Sequence, residues 1–193
     1  MIVDYSEGAV HGEHVVLRQM TRADVDQMAY WPPYEEPELQ WANLRLNSTR
    51  EREDYYEHGR SGATRERFSV FLPDGAVIGT VSLRNVDRAT RQGTLGIILR
   101  SDEVGRGYGS EAVRCLLHYA FSVMGLDRIV LDVAESNARA LRCYERIGFT
   151  RTGQHLGGDA IMYVDMEMHR RRFARAERAL ADRVNQAAAG LTD

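Results

Sequence analysis

The stretch from Val104 to Val113, VGRGYGSEAV, sets glycines at 105, 107 and 109 and then turns to residues that favour helix. Glycine loses the most freedom on ordering, so three in five positions imply a demand on the backbone. That demand is met where main-chain amides must approach a phosphate closely at the start of a helix. A nucleoside triphosphatase loop needs a lysine after its last glycine, and this stretch has none. A dinucleotide fingerprint is satisfied locally by Gly107, Gly109 and Ala112, with Asp132 further on in the position of the ribose-binding acid. Local residues alone leave the phosphate unidentified.

A second stretch with chemical potential is YWPPYEEPELQW, rich in aromatic and acidic side chains. Glu35, Glu36 and Glu38 would attract a cationic substrate, and Tyr30, Trp31, Tyr34 and Trp41 would pack against it. A solvated acidic turn with its aromatics tucked into the core fits the same residues. The six histidines show no metal-ligand spacing, so no metal is expected. HRRRF is followed by alternating acids, which suits an exposed helix face better than a nucleic-acid contact.

The chain has 193 residues, enough for one substantial core, and a formal charge of -3 that provides no field for nucleic acid or anionic lipid. Cys115 and Cys143 lack CxxC spacing and read as free thiols in a reducing compartment. With no basic-then-apolar start and no apolar run of membrane-spanning length, a cytoplasmic protein without a membrane partner is expected.

The elements that must position these residues follow from periodicity. After a polar N-terminal arm, HVVLRQM reads as a strand, and Thr21 with Asp24 reads as the cap of a helix over residues 22–29. STREREDYYEHG reads as a short exposed helix capped by Ser48 or Thr49. From Phe68 to Leu99 three strands joined by tight turns predict an antiparallel meander. After the glycine loop, Ala112, Val113, Leu116, Leu117, Ala120 and Phe121 form one helical stripe ended by Gly125. RIVLDVAE reads as a central strand, NARALRCYERIGF as an amphipathic helix, and IMYVDMEMH as a strand. The tail shows Phe173, Ala176, Leu180 and Val184 at helical spacing, for packing onto the domain or against a second subunit in a homodimer. The expected organisation is one domain over residues 1–169 and a helical extension over 170–193, with an α/β fold whose mixed, mostly antiparallel sheet is flanked by helices.

This context counts against the dinucleotide reading, since a meander precedes the loop and too little chain follows Asp132 for a doubly wound sheet. The third owner of such a loop is the pyrophosphate of coenzyme A. LGIILRSDEVGRGYGSEAVRCLLHYAF and LDRIVLDVAESNARALRCYERIGF together resemble the acetyl-CoA-binding half of the GNAT superfamily of N-acetyltransferases. Within it they look most like the branch holding ribosomal-protein N-terminal and spermidine acetyltransferases. The motifs cover residues 94–150, and upstream the agreement is one of predicted elements. One departure is Val104, which stands where the superfamily motif has Gln or Arg.

The resemblance implies acetyl-CoA as cosubstrate and a primary amine as acceptor: a protein N-terminus, a polyamine or another small-molecule amine. It implies that the backbone of Arg106, Gly107, Tyr108, Gly109 and Ser110 holds the pyrophosphate, with added charge from Arg106. It also implies that Ile97, Ile98 and Leu99 belong to a strand that splays from its neighbour and pairs with the pantetheine arm. Tyr144 matches the family tyrosine proposed to protonate the leaving thiolate, and a phenol near pKa 10 suits such a thiol. Asp132 matches a proposed base, helped by a pKa raised between apolar neighbours. Asn137 is a helix cap or a coenzyme contact. The acceptor site implied by the resemblance falls in the variable N-terminal helices and the late strands, here YWPPYEEPELQW, hence Trp31, Tyr34 and Glu36, and HLGGDAIMYVDM. At pH 7 an α-amine of pKa about 8 is roughly a tenth neutral, against about one part in two thousand for a lysine-like amine, so a weak base fits an α-amine better. The rival readings are a nucleotide-cofactor oxidoreductase and an acyl-CoA-binding module without transfer chemistry.

Overall fold

A computed structural model describes residues 4–6, 8–60 and 62–189. The side chains of Glu38 and Val184, named above, lie outside the described residues. Among the described residues nine strands form one sheet: β1 (Asp4–Ser6), β2 (Ala9–His11), β3 (Val16–Gln19), β4 (Glu66–Phe71), β5 (Val77–Asp87), β6 (Gln92–Leu99), β7 (Arg128–Ala134), β8 (Thr150–Leu156) and β9 (Met162–His169). Their order is β1-β2-β3-β4-β5-β6-β7-β9-β8. Every pairing is antiparallel except β6 with β7. The predicted meander is β4-β5-β6, and β7 is central, between β6 and β9.

Five α-helices accompany the sheet: α1 (Arg22–Met28), α2 (Thr49–Gly59), α3 (Tyr108–His118), α4 (Ala138–Ile147) and α5 (Arg170–Ala189). Thr21 and Asp24 close a reciprocal capping box on α1, and Asp24 Oδ2 also accepts from the buried Ser69 hydroxyl at 2.9 Å. Ser48, not Thr49, caps α2, with Glu51 completing the box. α3 begins at Tyr108, within the glycine loop, and runs on into a π turn over Tyr119–Val123.

The main core lies between the sheet and α3, α4 and the start of α5. It joins Val81 and Leu83 of β5, Leu116 and Leu117 of α3, Ile129 of β7, Ile147 of α4, and Met166 and Met168 of β9. Each such side chain contributes about 1.5–3 kcal/mol by leaving water. On the opposite face Met20, Val25, Met28, Leu46, Phe71 and Val77 make a smaller cluster under α1 and α2. The tail helix packs onto the domain through Phe173, whose ring meets His118 and Phe121 with centroids 4.8 and 5.5 Å apart. Glu177 adds ion pairs to Arg114 and His118.

Two features depart from the sequence reading. The polar N-terminal arm carries a hairpin, β1-β2, so His11 sits in a strand; Ala9 and Val10 are buried, but three-residue strands are too short to announce a period. β8 is an edge strand with almost every residue exposed, and with neither face buried it shows no alternation.

Candidate active site

β6 and β7 face each other in parallel at Gln92–Arg128, Gly93–Ile129 and Thr94–Val130, and there the pairing stops. β6 continues to Leu99 on β5, and β7 continues to Ala134 on β9. Held by opposite neighbours in a twisting sheet, the two strands diverge and open a cleft. A cavity of about 760 Å³ fills it, lined from β6 by Leu95 to Leu99, from the loop by Gly105, Gly107 and Gly109, and from β7 by Asp132, Val133 and Ala134. Ile97, Ile98 and Leu99 thus line the cavity beside backbone that β7 has left unpaired.

The loop delivers free amides to the same cavity. Gly105 and Gly107 have φ of 87° and 94°, a region costly for other residues, and a side chain at either would point into open space. Gly109 has ordinary backbone but lies close to β6: a Cβ there would sit 3.0 Å from Leu99 Cδ1. Gly107 stands at the N-cap of α3 and no side chain caps that end, so the amides of the first turn and the positive end of the helix face the cleft. The cradle fits a pyrophosphate. Ser110 lines the cavity, and its hydroxyl meets Cys143 Sγ of α4 at 3.0 Å.

Arg106, expected to add charge to the cradle, is held from beneath the loop. Glu103, buried beneath the loop, accepts from Arg100 at 2.9 Å and lies 3.3 Å from Arg106 Nη1. Arg106 therefore has its charge met by the protein, and its side chain does not line the cavity; nor does that of Tyr108, which packs against the core. Cations reach the cleft instead from α4. Arg139 and Arg146, together with Ala140 and Cys143, line it at positions that fall on one helical face. Among the described residues neither arginine makes an ion pair or hydrogen bond. The sequence reading did not single them out; the i, i+4, i+7 spacing of 139, 143 and 146 was the available sign. Asn137 lines the cavity and caps α4, accepting from the Ala140 amide at 3.0 Å.

Tyr144 is buried at the same cavity, its ring edge-on to Phe149 with centroids 5.6 Å apart. Its hydroxyl has no hydrogen bond to protein among the described residues. Burial pushes the phenol above its ordinary range, and the Cys143 thiol and Asp132 carboxylate push it further. The expected match near 10 gives way to a weaker acid that keeps its proton. Asp132 lines the cavity but is exposed, because β6 has left β7 by that point, and it is not enclosed between strands as a central position implies.

The three residues expected at the acceptor end separate. Tyr34 lines the cavity, and its hydroxyl donates to the Leu99 carbonyl at 2.7 Å, tying the loop to the end of β6. The Trp31 indole donates to the Val77 carbonyl at 3.2 Å and packs on the smaller cluster, away from the cavity. Glu36 is exposed and does not line it. Trp41, 61% exposed, does, as do Tyr163 of β9 and Arg65, Arg67 and Arg84 around β4 and β5. The sequence reading did not single out these arginines as site residues; the alternation in TRERF was the available sign that Arg65 and Arg67 share a face. Among the described residues no cluster of three metal-ligating side chains occurs.

The loop does link two parallel strands through α3, so the dinucleotide pattern is satisfied for one βαβ unit. The neighbouring strand in the sheet, β9, is antiparallel, and no second unit follows among the described residues. The comparisons agree with the rest of this geometry. The model of the acetyltransferase (GNAT) domain matches residues 14–150. A spermidine N(1)-acetyltransferase of Vibrio cholerae is 31% identical over 126 residues, 65% of this chain and 67% of that one. A putative ribosomal N-acetyltransferase, YdaF, of Bacillus subtilis is 33% identical over 98 residues, 51% of this chain and 52% of that one. The chain thus spans between half and two thirds of these relatives. The solved spermidine N-acetyltransferase of Vibrio cholerae in complex with CoA and spermine superposes with a TM-score of 0.69 at 21% identity, over 84% of this chain and 99% of that one, a likeness of fold. With the splayed strands, the uncapped helix behind a glycine loop and this family match, the chain belongs to the acetyltransferase (GNAT) domain family.

Proposed function

We propose that this protein transfers an acetyl group from acetyl-CoA to a primary amine by direct attack. The observation that supports it best is the convergence on one cavity of unpaired β6 backbone, uncapped α3 amides and the Tyr144 hydroxyl. The first turn of α3 holds the pyrophosphate, with Arg139 and Arg146 of α4 supplying cationic partners for coenzyme phosphates. The backbone beyond Thr94 pairs with the pantetheine arm and turns an amide toward the thioester oxygen, where negative charge develops.

The amine nitrogen attacks the thioester carbon, the C–S bond breaks, and the thiolate takes a proton from Tyr144. Asp132, directly or through water, takes the proton that the nitrogen loses. Reprotonation of Tyr144 from solvent completes the cycle. The two free cysteines fit a reducing, cytoplasmic setting, and among the described residues no helix is long and apolar enough to cross a membrane.

A thermal-shift series followed by a thiol-release assay tests the reading. Acetyl-CoA raises Tm and NAD(H) does not, and thiol appears on adding an amine from a panel of amino acids, peptides, polyamines and aminoglycosides. A Tm raised by NAD(H) instead would return the chain to the oxidoreductase reading. Coenzyme binding with silence across the whole panel would make it a binding module.

A further inference from the structure

The acceptor end of the cleft divides by charge. Alternation along β4 and β5 puts Arg65, Arg67, Thr80, Ser82 and Arg84 on the face that looks into the cavity. Register then sets Arg67 opposite Ser82, and Ser82 opposite Gly96 of β6. Arg84 reaches that row: a Cβ at Gly96 would lie 3.5 Å from both Nε and Nη2 of its guanidinium. A cation therefore rests against β6 within two residues of the point where β6 leaves β7.

Arg84 makes no hydrogen bond or ion pair among the described residues, and Arg65 donates to the His58 carbonyl. Arg67 donates to the Tyr55 hydroxyl at 2.5 Å and lies over that ring. Its guanidinium is pushed below its ordinary range by burial and by the charges of Arg65 and Arg84, while Tyr55 opposes the shift. The three cations are close enough to feel one another. Of the acids near this end, Glu51 closes the α2 cap and shares with Asp54 a separate shallow hollow that Arg45, Arg65 and Arg67 also line. Glu36 acts on Tyr34, and Glu66 alternates to the other face, where its charge reaches Tyr119. Arg84 is thus the cation of this wall that no acid meets among the described residues.

Across the opening the sign reverses. Asp132 of β7 lines the cavity and sits opposite Asp165 of β9, which His155 contacts at 3.0 Å. Tyr163 lines the same side, its hydroxyl donating to Asp159 at 2.8 Å. The cleft thus has a guanidinium cluster on one wall, a carboxylate on the other, and the bare backbone of Gly96 on the cationic side.

Resting on the acetyl-transfer reading above, we infer that the acceptor is a primary amine that also carries a carboxylate, its amine directed to Asp132 and its carboxylate to Arg84 and Arg65. Guanidinium forks match carboxylates geometrically, and a cationic wall that includes Arg84 repels a polycation. This separates the protein from the relatives named for spermidine. A free amino acid and an acidic peptide both offer the required chemistry.

Steady-state thiol release with matched acceptors tests this. The set is an amino acid and its carboxamide, a dipeptide ending in glutamate and the same dipeptide ending in glutamine, and spermidine. At least one carboxylate member exceeds its amide by about tenfold or more in kcat/KM, and which pair responds identifies the source. Arg84→Gln raises KM for that acceptor, removes the preference, increases spermidine turnover and leaves KM for acetyl-CoA in place. Arg65→Gln gives a smaller change of the same sign. Spermidine exceeding every carboxylate acceptor, or a preference untouched in both variants, overturns the anionic acceptor while leaving acetyl transfer intact. No thiol release with any amine overturns both.

Discussion

Thr94 and Val130 are the last residues of β6 and β7 to face each other, and the cleft begins immediately beyond them. The site follows from that point of separation. Backbone that would have paired within the sheet becomes available to a ligand, and Asp132, which would have been buried between strands, opens into the cavity.

Gly107 and Gly109 answer to different constraints, and alanine separates them. Gly107→Ala keeps its space but must hold φ near 94°, costing about 1–2 kcal/mol in urea unfolding and raising KM for acetyl-CoA. Gly109→Ala has ordinary backbone and presses on the end of Leu99, with Ile97 Cδ1 in ordinary contact at 4.0 Å, so stability changes by less than about 1 kcal/mol. Its methyl stands in the coenzyme cradle, and KM for acetyl-CoA still rises. Equal unfolding costs for the two variants would contradict this division.

Removing the Tyr144 hydroxyl strands no protein partner, so Tyr144→Phe folds with nearly unchanged stability. As loss of a general acid it lowers kcat by about 10²–10⁴ with KM for acetyl-CoA unchanged. Unaltered turnover removes Tyr144 from the mechanism.

The raised pKa of Tyr144 has a defined sign. The neutral phenol persists to higher pH than an ordinary tyrosine, so its ionisation lies above the usual value of about 10. Asp132→Asn removes a negative neighbour and moves that ionisation downward. Ultraviolet difference titration of wild type, Tyr144→Phe and Asp132→Asn follows it. A Tyr144 ionisation at the ordinary value would contradict the burial.

The two cysteines should respond oppositely to alkylation. Burial pushes the Cys115 thiol up to about 12, with Glu111 and Glu177 adding to it, whereas Cys143 is half-buried and lines the cavity. Iodoacetamide therefore modifies Cys143 first, and acetyl-CoA slows it. Mass mapping that finds Cys115 modified first would place the cavity elsewhere.

Much of this was legible in the chain. The stripes of α3 and α4, the caps at Thr21 and Asn137, and the three-strand meander rest on local periodicity and capping chemistry. What depended on register or on a distant partner was not legible. The polar edge strand β8 has no buried face, and the exposure of Asp132 reflects where two strands part. Glu103 beneath the loop takes up the charge of Arg106, a contact that the glycine pattern does not encode. The wall of Arg65, Arg67 and Arg84 exists only once β4, β5 and β6 are in register.

Acetyl transfer to an amine is decided by the fate of a labelled acetyl group. Acetyl-CoA carrying an isotopic label in the acetyl group is incubated with the protein and the acceptor panel, and products are resolved by mass spectrometry. Direct attack puts label on the acceptor's primary amine in one-to-one ratio with released thiol, and none on the protein. Thiol release without labelled amine, or label held on Cys143, would contradict it.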